Sequence, residues 1–352
     1  MKICIGAKIM TGPWGGGNLF YINLSKYLEL NGVDVVYDLK DKDIDLILLT
    51  DPRLLSESSS LTDFDIRYYK KFINNNVQVV HRINECDERK NTSNLNKFLI
   101  KSNKVADATV FVSEWLKNLF IDQGIDTRNL HVIMSGSDEK IFNRVGFKEW
   151  KKHKKLKIVT HHWGNNWNKG FDIYKKLDEL LENEYWFSKY EFTYIGNLPR
   201  NFKFQNTQHL LPISGHTLAN ELKKSNLYLT GSLNEPSGNH HIEAAQCGLP
   251  ILYIDSGGIP EYCDGFGLKF TNKNFESRLE EFYENYSKFY NKMESYSFNS
   301  KKMCKQYFNL FQSLSKNNVQ IRFKKYLLIK KIIFLFLVKI RFAYKTIRTK
   351  WV

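Results

Sequence analysis

The chain has 352 residues, 42% hydrophobic and 25% charged, a balance that excludes intrinsic disorder and is enough for two buried cores. The formal net charge is +15, but residues 319–352 hold ten Lys or Arg and no Asp or Glu, so the preceding body carries only +5. The five cysteines, Cys4, Cys86, Cys247, Cys263 and Cys304, are odd in number, scattered and without a CxxC pair, which excludes a disulfide framework and a structural zinc site.

The first ten residues lack the long apolar core of a signal peptide, so a reducing cytoplasm is the expected compartment. Residues 2–9 read as a strand and 12–17 as a Gly-rich turn. Leu19, Phe20, Ile22, Leu24, Tyr27, Leu28 and Leu30 then recur at helical spacing, and Asn31-Gly32 stops the helix. Residues 33–37, 45–50, 77–82 and 108–113 read as further strands, 45–50 being apolar enough for burial on both faces. A basic run at 150–157 reads as an interdomain linker. Strands then alternate with helices again: strands at 156–160, 192–195, 226–230 and 251–254, helices at 171–181 and 242–247. Residues 273–317 read as helical. This alternation predicts an α/β chain of two doubly wound Rossmann-like domains, 1–150 and 151–300, followed by helices over 301–352.

The most informative stretch is Glu235-Pro-Ser-Gly-Asn-His-His-Ile-Glu243, continuing to Gly248-Leu-Pro250. It follows a predicted strand and opens a helix, with Gly238 near the loop apex. Amides at a helix start lack intrahelical partners, and the dipole there favours anions, so a diphosphate fits around Gly238, Asn239, His240 and His241. Glu235 stands at the loop entrance, at the carboxyl ends of the strands where such sheets bind ligands. Glu243 lies one to two helical turns further on, where a carboxylate can accept two vicinal ribose hydroxyls.

Two glutamates eight positions apart, with Pro after the first, a central Gly and Gly-Leu-Pro after the second, resemble the signature of glycosyltransferase family 4. The resemblance implies the GT-B fold, two Rossmann-like domains facing across a cleft, and transfer of a sugar from a nucleotide-diphosphate donor with retention and without a metal or other cofactor. It implies that Glu235 contacts the donor sugar, Glu243 the ribose and the amides at 238–241 the diphosphate. Lys169, in Asn168-Lys169-Gly170, matches the family lysine that holds the diphosphate, and His240 is placed to touch the donor through its loop. The family arginine that precedes this lysine by about five residues is missing. Gly164 and Asn165 stand there instead, leaving Arg200 or Arg82 as substitutes.

The Gly run at 12–17 does not fit the G-x-G-x-x-G spacing of a nicotinamide-binding loop. By resemblance, Gly16 and Gly17 reach toward the donor phosphate; as a bare pattern, the run is equally a tight turn. In Val79-Val-His81-Arg82-Ile-Asn84-Glu85, the family places an active-site His four residues past the Val pair. Asn84 stands there and His81 lies three residues earlier. Asn84, His81 and Glu235 are therefore the candidate catalytic residues, and Arg82 or Arg89 are candidates to bind an anionic acceptor. The adjacent pairs His161-His162 and His240-His241 do not have metal-ligand spacing.

Taken as one helix, residues 326–347 place Tyr326, Ile329, Ile333, Phe336, Leu337, Ile340, Tyr344 and Ile347 on one side and basic residues around the other. The apolar run 332–338 is far short of the roughly 20 residues a spanning helix needs. The expected role of 319–352 is a basic amphipathic helix lying on an anionic membrane at the inner face of the cell membrane; a helix packed across the two domains is the alternative. The aliphatic content argues against nucleic acid as the partner. The expected activity is a hexosyltransferase acting on a glycan or lipid-linked acceptor. The competing readings are a catalytically silent nucleotide-sugar-binding subunit and a nucleotide-sugar epimerase of the same fold.

Overall fold

Short apolar runs bounded by polar turns become strands, and amphipathic helices cover them on both faces. In the computed structural model, which describes residues 1–10 and 16–316, these strands form two parallel sheets of six. The first contains β1 (Lys2–Ile5), β2 (Asp34–Val36), β3 (Leu46–Leu49), β4 (Gln78–Ile83), β5 (Ala108–Phe111) and β6 (Leu130–Val132), in the order β2-β1-β3-β4-β5-β6. The second contains β7 (Leu156–His162), β8 (Tyr190–Gly196), β9 (Gln208–Leu210), β10 (Leu227–Thr230), β11 (Ile251–Ile254) and β12 (Gly267–Phe270), in the order β12-β11-β10-β7-β8-β9. In each sheet the chain winds outward, returns to the middle and winds out the other way. The order therefore reverses between β1 and β3 in the first sheet and between β7 and β10 in the second, and such switch points open a crevice at the carboxyl ends of the strands.

The alternation of side chains along a strand explains the layers. Ile3, Ile5, Leu46, Leu48 and Val80 face one side of the first sheet, with Phe20, Leu24 and Leu28 of the helix Gly16–Leu30. Cys4, Ile47, Leu49 and Val79 face the other, with Ile66 and Tyr69 of the helix Asp63–Phe72. The helix Ser300–Lys316 returns from the second half to complete the first layer: Met303, Cys304, Tyr307, Phe311 and Leu314 pack with Phe20 and Leu24. The second sheet has a larger core of its own, into which Phe171, Tyr174, Tyr190 and Tyr194 are buried.

Several elements differ from the sequence-based expectation. The edge strands β6, β9 and β12 are three or four residues long and partly polar, which hides the strand pattern. The helix Asp63–Phe72 carries a capping box in which Thr62 and Asp65 satisfy each other's backbone amides, a signal visible in the sequence. Trp150, in the basic run, is no solvated linker residue. It is buried among Tyr283 and Tyr286, and its indole donates 2.9 Å to the Lys154 carbonyl. The amphipathic tail at 319–352 lies outside the described residues. Among the described residues, no helix is long and apolar enough to cross a membrane.

The halves are joined at two kinds of contact. Where the chain passes over at 135–138 and back at 298–300, the two passages bond to each other: Ser300 N donates 2.7 Å to Ser137 O, and Ser137 N donates 3.3 Å to Phe298 O. A Cβ on Gly136 would sit 2.2 Å from Asn299 O, so only glycine lets the passages meet. Beside them, the Glu261 carboxylate accepts the backbone amides of Glu114 and Trp115, both at 2.7 Å. The Tyr262 hydroxyl accepts from Ser135 N at 2.9 Å and donates to Val112 O. Tyr262→Phe leaves that buried carbonyl and amide unpaired, at a cost of about 1–3 kcal/mol. A lower thermal midpoint by calorimetry, with an unaltered far-UV circular dichroism spectrum, is the expected outcome.

Candidate active site

The switch point between β7 and β10 gathers the second half's polar groups. Two loops leave it, 163–170 and 231–238, and they bond to each other: Leu233 N donates 2.8 Å to Asn168 O, and Ser232 Oγ donates 3.2 Å to Lys169 O. Gly170 (φ +103°) makes this possible, because a Cβ there would strike the Gly231 backbone at 2.6 Å. Lys169 and Glu235 thus converge, and Lys169 Nζ donates 2.6 Å to Glu235 Oε2. Both side chains are buried.

The other Glu235 oxygen is taken from across the cleft. Arg89 Nε, on the turn Asp87–Lys90 that follows β4, donates 2.8 Å to Glu235 Oε1. Arg89 Nη1 also reaches both oxygens of Glu85, at 3.0 and 2.8 Å, and Lys90 Nζ lies 2.9 Å from Glu85. Burial would raise the Glu235 carboxyl, but Arg89 and Lys169 outweigh it and hold it below the usual carboxylate range. Glu235 raises Arg89 in turn.

The helix Asn239–Gln246 starts at Gly238, whose φ of +73° and crowding against His241 (2.7 Å from a built Cβ) suit glycine. Among the described residues no side chain caps this helix, and no acidic residue stands in its first turn. Its opening turn faces the first half: a Cβ on Gly16 would touch Asn239 Nδ2 at 2.6 Å. The Gly run thus meets this helix start at Gly16, while 12–15 lie within the residues not described. Glu243, one turn in, is buried rather than solvated, and His161 Nε2 lies 3.0 Å from its Oε2.

Four imidazoles surround this helix start. His162 meets the Tyr174 hydroxyl at 2.8 Å, and His240 Nδ1 meets the Tyr228 hydroxyl at 3.1 Å. Among the described residues, His240 Nε2, His161 Nδ1 and both nitrogens of His241 are buried without a partner. Burial lowers His162 and His240 well below the ordinary imidazole value and takes His241 to about 3, so these rings are neutral at neutral pH.

In the first half, Gly17 and Asn84 line a cavity of about 130 Å³ with Thr50, Asp51, Arg53 and Glu85. Asn84 lies just beyond the carboxyl end of β4, as expected. His81 is not brought to the cleft. Two residues inside the strand end, it projects to the face opposite Arg82, where its Nδ1 lies 2.8 Å from Asn103 Oδ1, fully buried and lowered by burial to about 4. Neither Arg82 nor Arg200 stands beside Lys169: Arg82 is buried 4.0 Å over the Phe20 ring, and Arg200 is exposed on the loop after β8. Arg89, considered only as an acceptor ligand from the sequence, is the cation that meets the Lys169–Glu235 pair.

Residues 192–302, which carry the paired glutamates, match the family model described as glycosyl transferases group 1. No curated protein matches the chain by sequence. Several solved structures match along nearly their whole length at low identity. HepE of Anabaena, in complex with UDP-glucose, has a TM-score of 0.64 at 14% identity over 89% of this chain and 100% of that one. Sucrose-phosphate synthase of Thermosynechococcus elongatus gives 0.61 at 14% over 89% and 98%, and a glycosyltransferase of Rickettsia africae gives 0.62 at 14% over 90% and 99%. These likenesses show the fold, GT-B, with two Rossmann-like domains facing across a cleft.

The buried neutral histidines give the protein an acid-labile core. Between pH 6.5 and the values of about 4 for His81 and about 3 for His241, the unfolded chain binds protons that the folded chain refuses. Stability therefore falls as pH drops through that window, by about 1.4 kcal/mol per pH unit for each such imidazole. Urea midpoints measured from pH 7 to 4 should decline steeply, and His81→Gln should flatten the slope.

Proposed function

We propose that the chain is a retaining, metal-independent hexosyltransferase of family 4, moving a sugar from a nucleotide-diphosphate donor to a hydroxyl of a glycan or lipid-linked acceptor. The observation that carries this reading is the pair of buried carboxylates, Glu235 and Glu243, on the loop and helix that leave the β7/β10 switch point. Residues 151–300 are the donor domain and 1–150 the acceptor domain. HepE, a structural neighbour, is bound to UDP-glucose, which supports a nucleotide sugar as donor here.

Each group has a role that follows from its chemistry. The uncapped opening turn of Asn239–Gln246 and Lys169 receive the diphosphate. Glu235, ionised, accepts hydrogen bonds from the donor sugar's hydroxyls. Glu243, steadied by His161 on one oxygen, offers the other to the ribose. Gly16 and Gly17 bring backbone close to the phosphates, and the cavity beside Asn84 receives the acceptor. As the bond from the sugar's anomeric carbon to phosphate breaks, the acceptor oxygen bonds to that carbon on the same face. A phosphate oxygen takes the acceptor's proton, so the departing diphosphate is its own base. Closure of the cleft excludes water from this step.

A thermal-shift screen with UDP, GDP and their sugar conjugates tests the donor reading. A rise in midpoint with one nucleotide series is expected, cut sharply in Glu243→Ala, together with slow donor hydrolysis that persists in EDTA. No shift with any nucleotide ends the proposal; binding without cleavage marks a silent subunit, and altered sugar stereochemistry without acceptor marks an epimerase.

The basic tail at 319–352 completes the reading as an attachment to the anionic, cytoplasmic face of a membrane. Ten cations without an acid, beside a stripe of Ile, Leu, Phe and Tyr, combine the two attractions that hold an interfacial helix. The full chain should sediment with phosphatidylserine vesicles and a chain ending at Asn318 should stay in solution; equal sedimentation removes the membrane from the proposal.

A further inference from the structure

A nucleoside diphosphate leaves with more than one negative charge, and among the described residues of the second half the buried ammonium is Lys169. The position that precedes Lys169 by five is Gly164, and a Cβ built there lies 3.6 Å from Lys169 Cε. A side chain at 164 would therefore run beside the lysine stem, but none is present. The neighbouring imidazoles at 162, 240 and 241 are neutral through burial.

Charge at this place comes instead from the first half. Arg89 and Lys169 bond to opposite oxygens of the same Glu235 carboxylate, at 2.8 and 2.6 Å, so both cations flank one small volume. The turn that bears Arg89 is gripped by the two loops of the second half that carry Lys169 and Glu235. Asn234 Nδ2 donates 3.3 Å to Glu88 O, and Asn168 Nδ2 donates 3.5 Å to Arg89 O. Glu85 holds the far edge of the guanidinium through Nη1. Arg89 is therefore docked against the donor loops by backbone contacts that do not depend on its own ion pair.

We propose that Arg89 is the second cation of the donor-diphosphate site, supplied across the cleft by the first half in place of the side chain lacking at position 164; this rests on the donor reading above. When the donor sugar's hydroxyls take Glu235 Oε1, the guanidinium exchanges that carboxylate for the diphosphate. A planar fork suits such an exchange, because it pairs with phosphate as well as with carboxylate. Donor binding then bonds the two halves through a phosphate where, without donor, a glutamate bonds them. A domain arrangement that seats the donor and one that completes the catalytic charge become the same event.

The test is isothermal titration of the full chain with UDP against UMP and GDP against GMP, for the native protein and for Arg89→Gln, Arg89→Lys and the double variant Arg89→Gln/Gly164→Arg. The diphosphate-to-monophosphate affinity ratio should fall about tenfold in Arg89→Gln, the loss expected of one charge-assisted contact. It should fall less in Arg89→Lys and recover in the double variant, which a purely structural role would not produce. Thermal melts of each variant without ligand establish that it is folded. An Arg89→Gln ratio equal to the native one, or equal loss of mono- and diphosphate binding, overturns the assignment while leaving the donor site intact. Absence of any nucleotide binding by the native chain overturns the donor site and this assignment together.

Discussion

The arrangement depends on a carboxylate that could not be buried alone. Glu235 is out of water, and an unpaired carboxylate there would cost several kcal/mol or take up a proton. Lys169 from its own half and Arg89 from the other keep it ionised. Much of the local architecture serves that requirement. Gly170 allows the Lys169 loop to lie on the Gly231 backbone, Ser232 ties the two loops, and Glu85 balances the arginine's second edge. The charge is thus satisfied by groups from both sides of a gap, and the gap is closed in the conformation that satisfies it.

Near this network stands a helix start with the opposite property. Among the described residues, the opening turn of Asn239–Gln246 has no side-chain cap, no acidic residue and a ring of neutral imidazoles. It presents partial positive charge without a counter-charge, while Glu235 presents a full negative charge with two. A ligand with an anionic middle and hydroxyls at both ends fits the two together, the anion on the amides and the hydroxyls on Glu235 and Glu243. This complementarity supports the proposed sugar-nucleotide site, beside the family-model match over residues 192–302.

The second half was the more legible in the sequence because its functional groups are close neighbours along the chain. Strand, loop and helix supply Glu235, Gly238 and Glu243 within nine residues, and the switch point places them without help from distant elements. Arg89 was only partly legible. Its partner lies 146 positions away, and nothing in the sequence around a short turn says which carboxylate it will meet. His81 shows a different limit. A histidine near a strand end reads as functional, but the two-residue period decides whether it faces the cleft layer or the opposite one, and Asn103 already awaits it there. The edge strands β6, β9 and β12 escaped because short strands with one solvated side carry little apolar pattern.

The paired passages at Ser137 and Asn299 limit how the halves can move. Two bodies connected twice through one point keep rotation about that point and lose most of their freedom to slide. Their separation is then smallest at the joint and grows with distance from it, like the blades of shears. With the Glu261 and Tyr262 contacts also close to this joint, the region around it should remain packed through any opening stroke. A small angular displacement there is magnified where the Arg89 turn meets the loops of the second half, so opening about the joint is resisted at its far end by the Arg89–Glu235 ion pair and the Asn168 and Asn234 bonds.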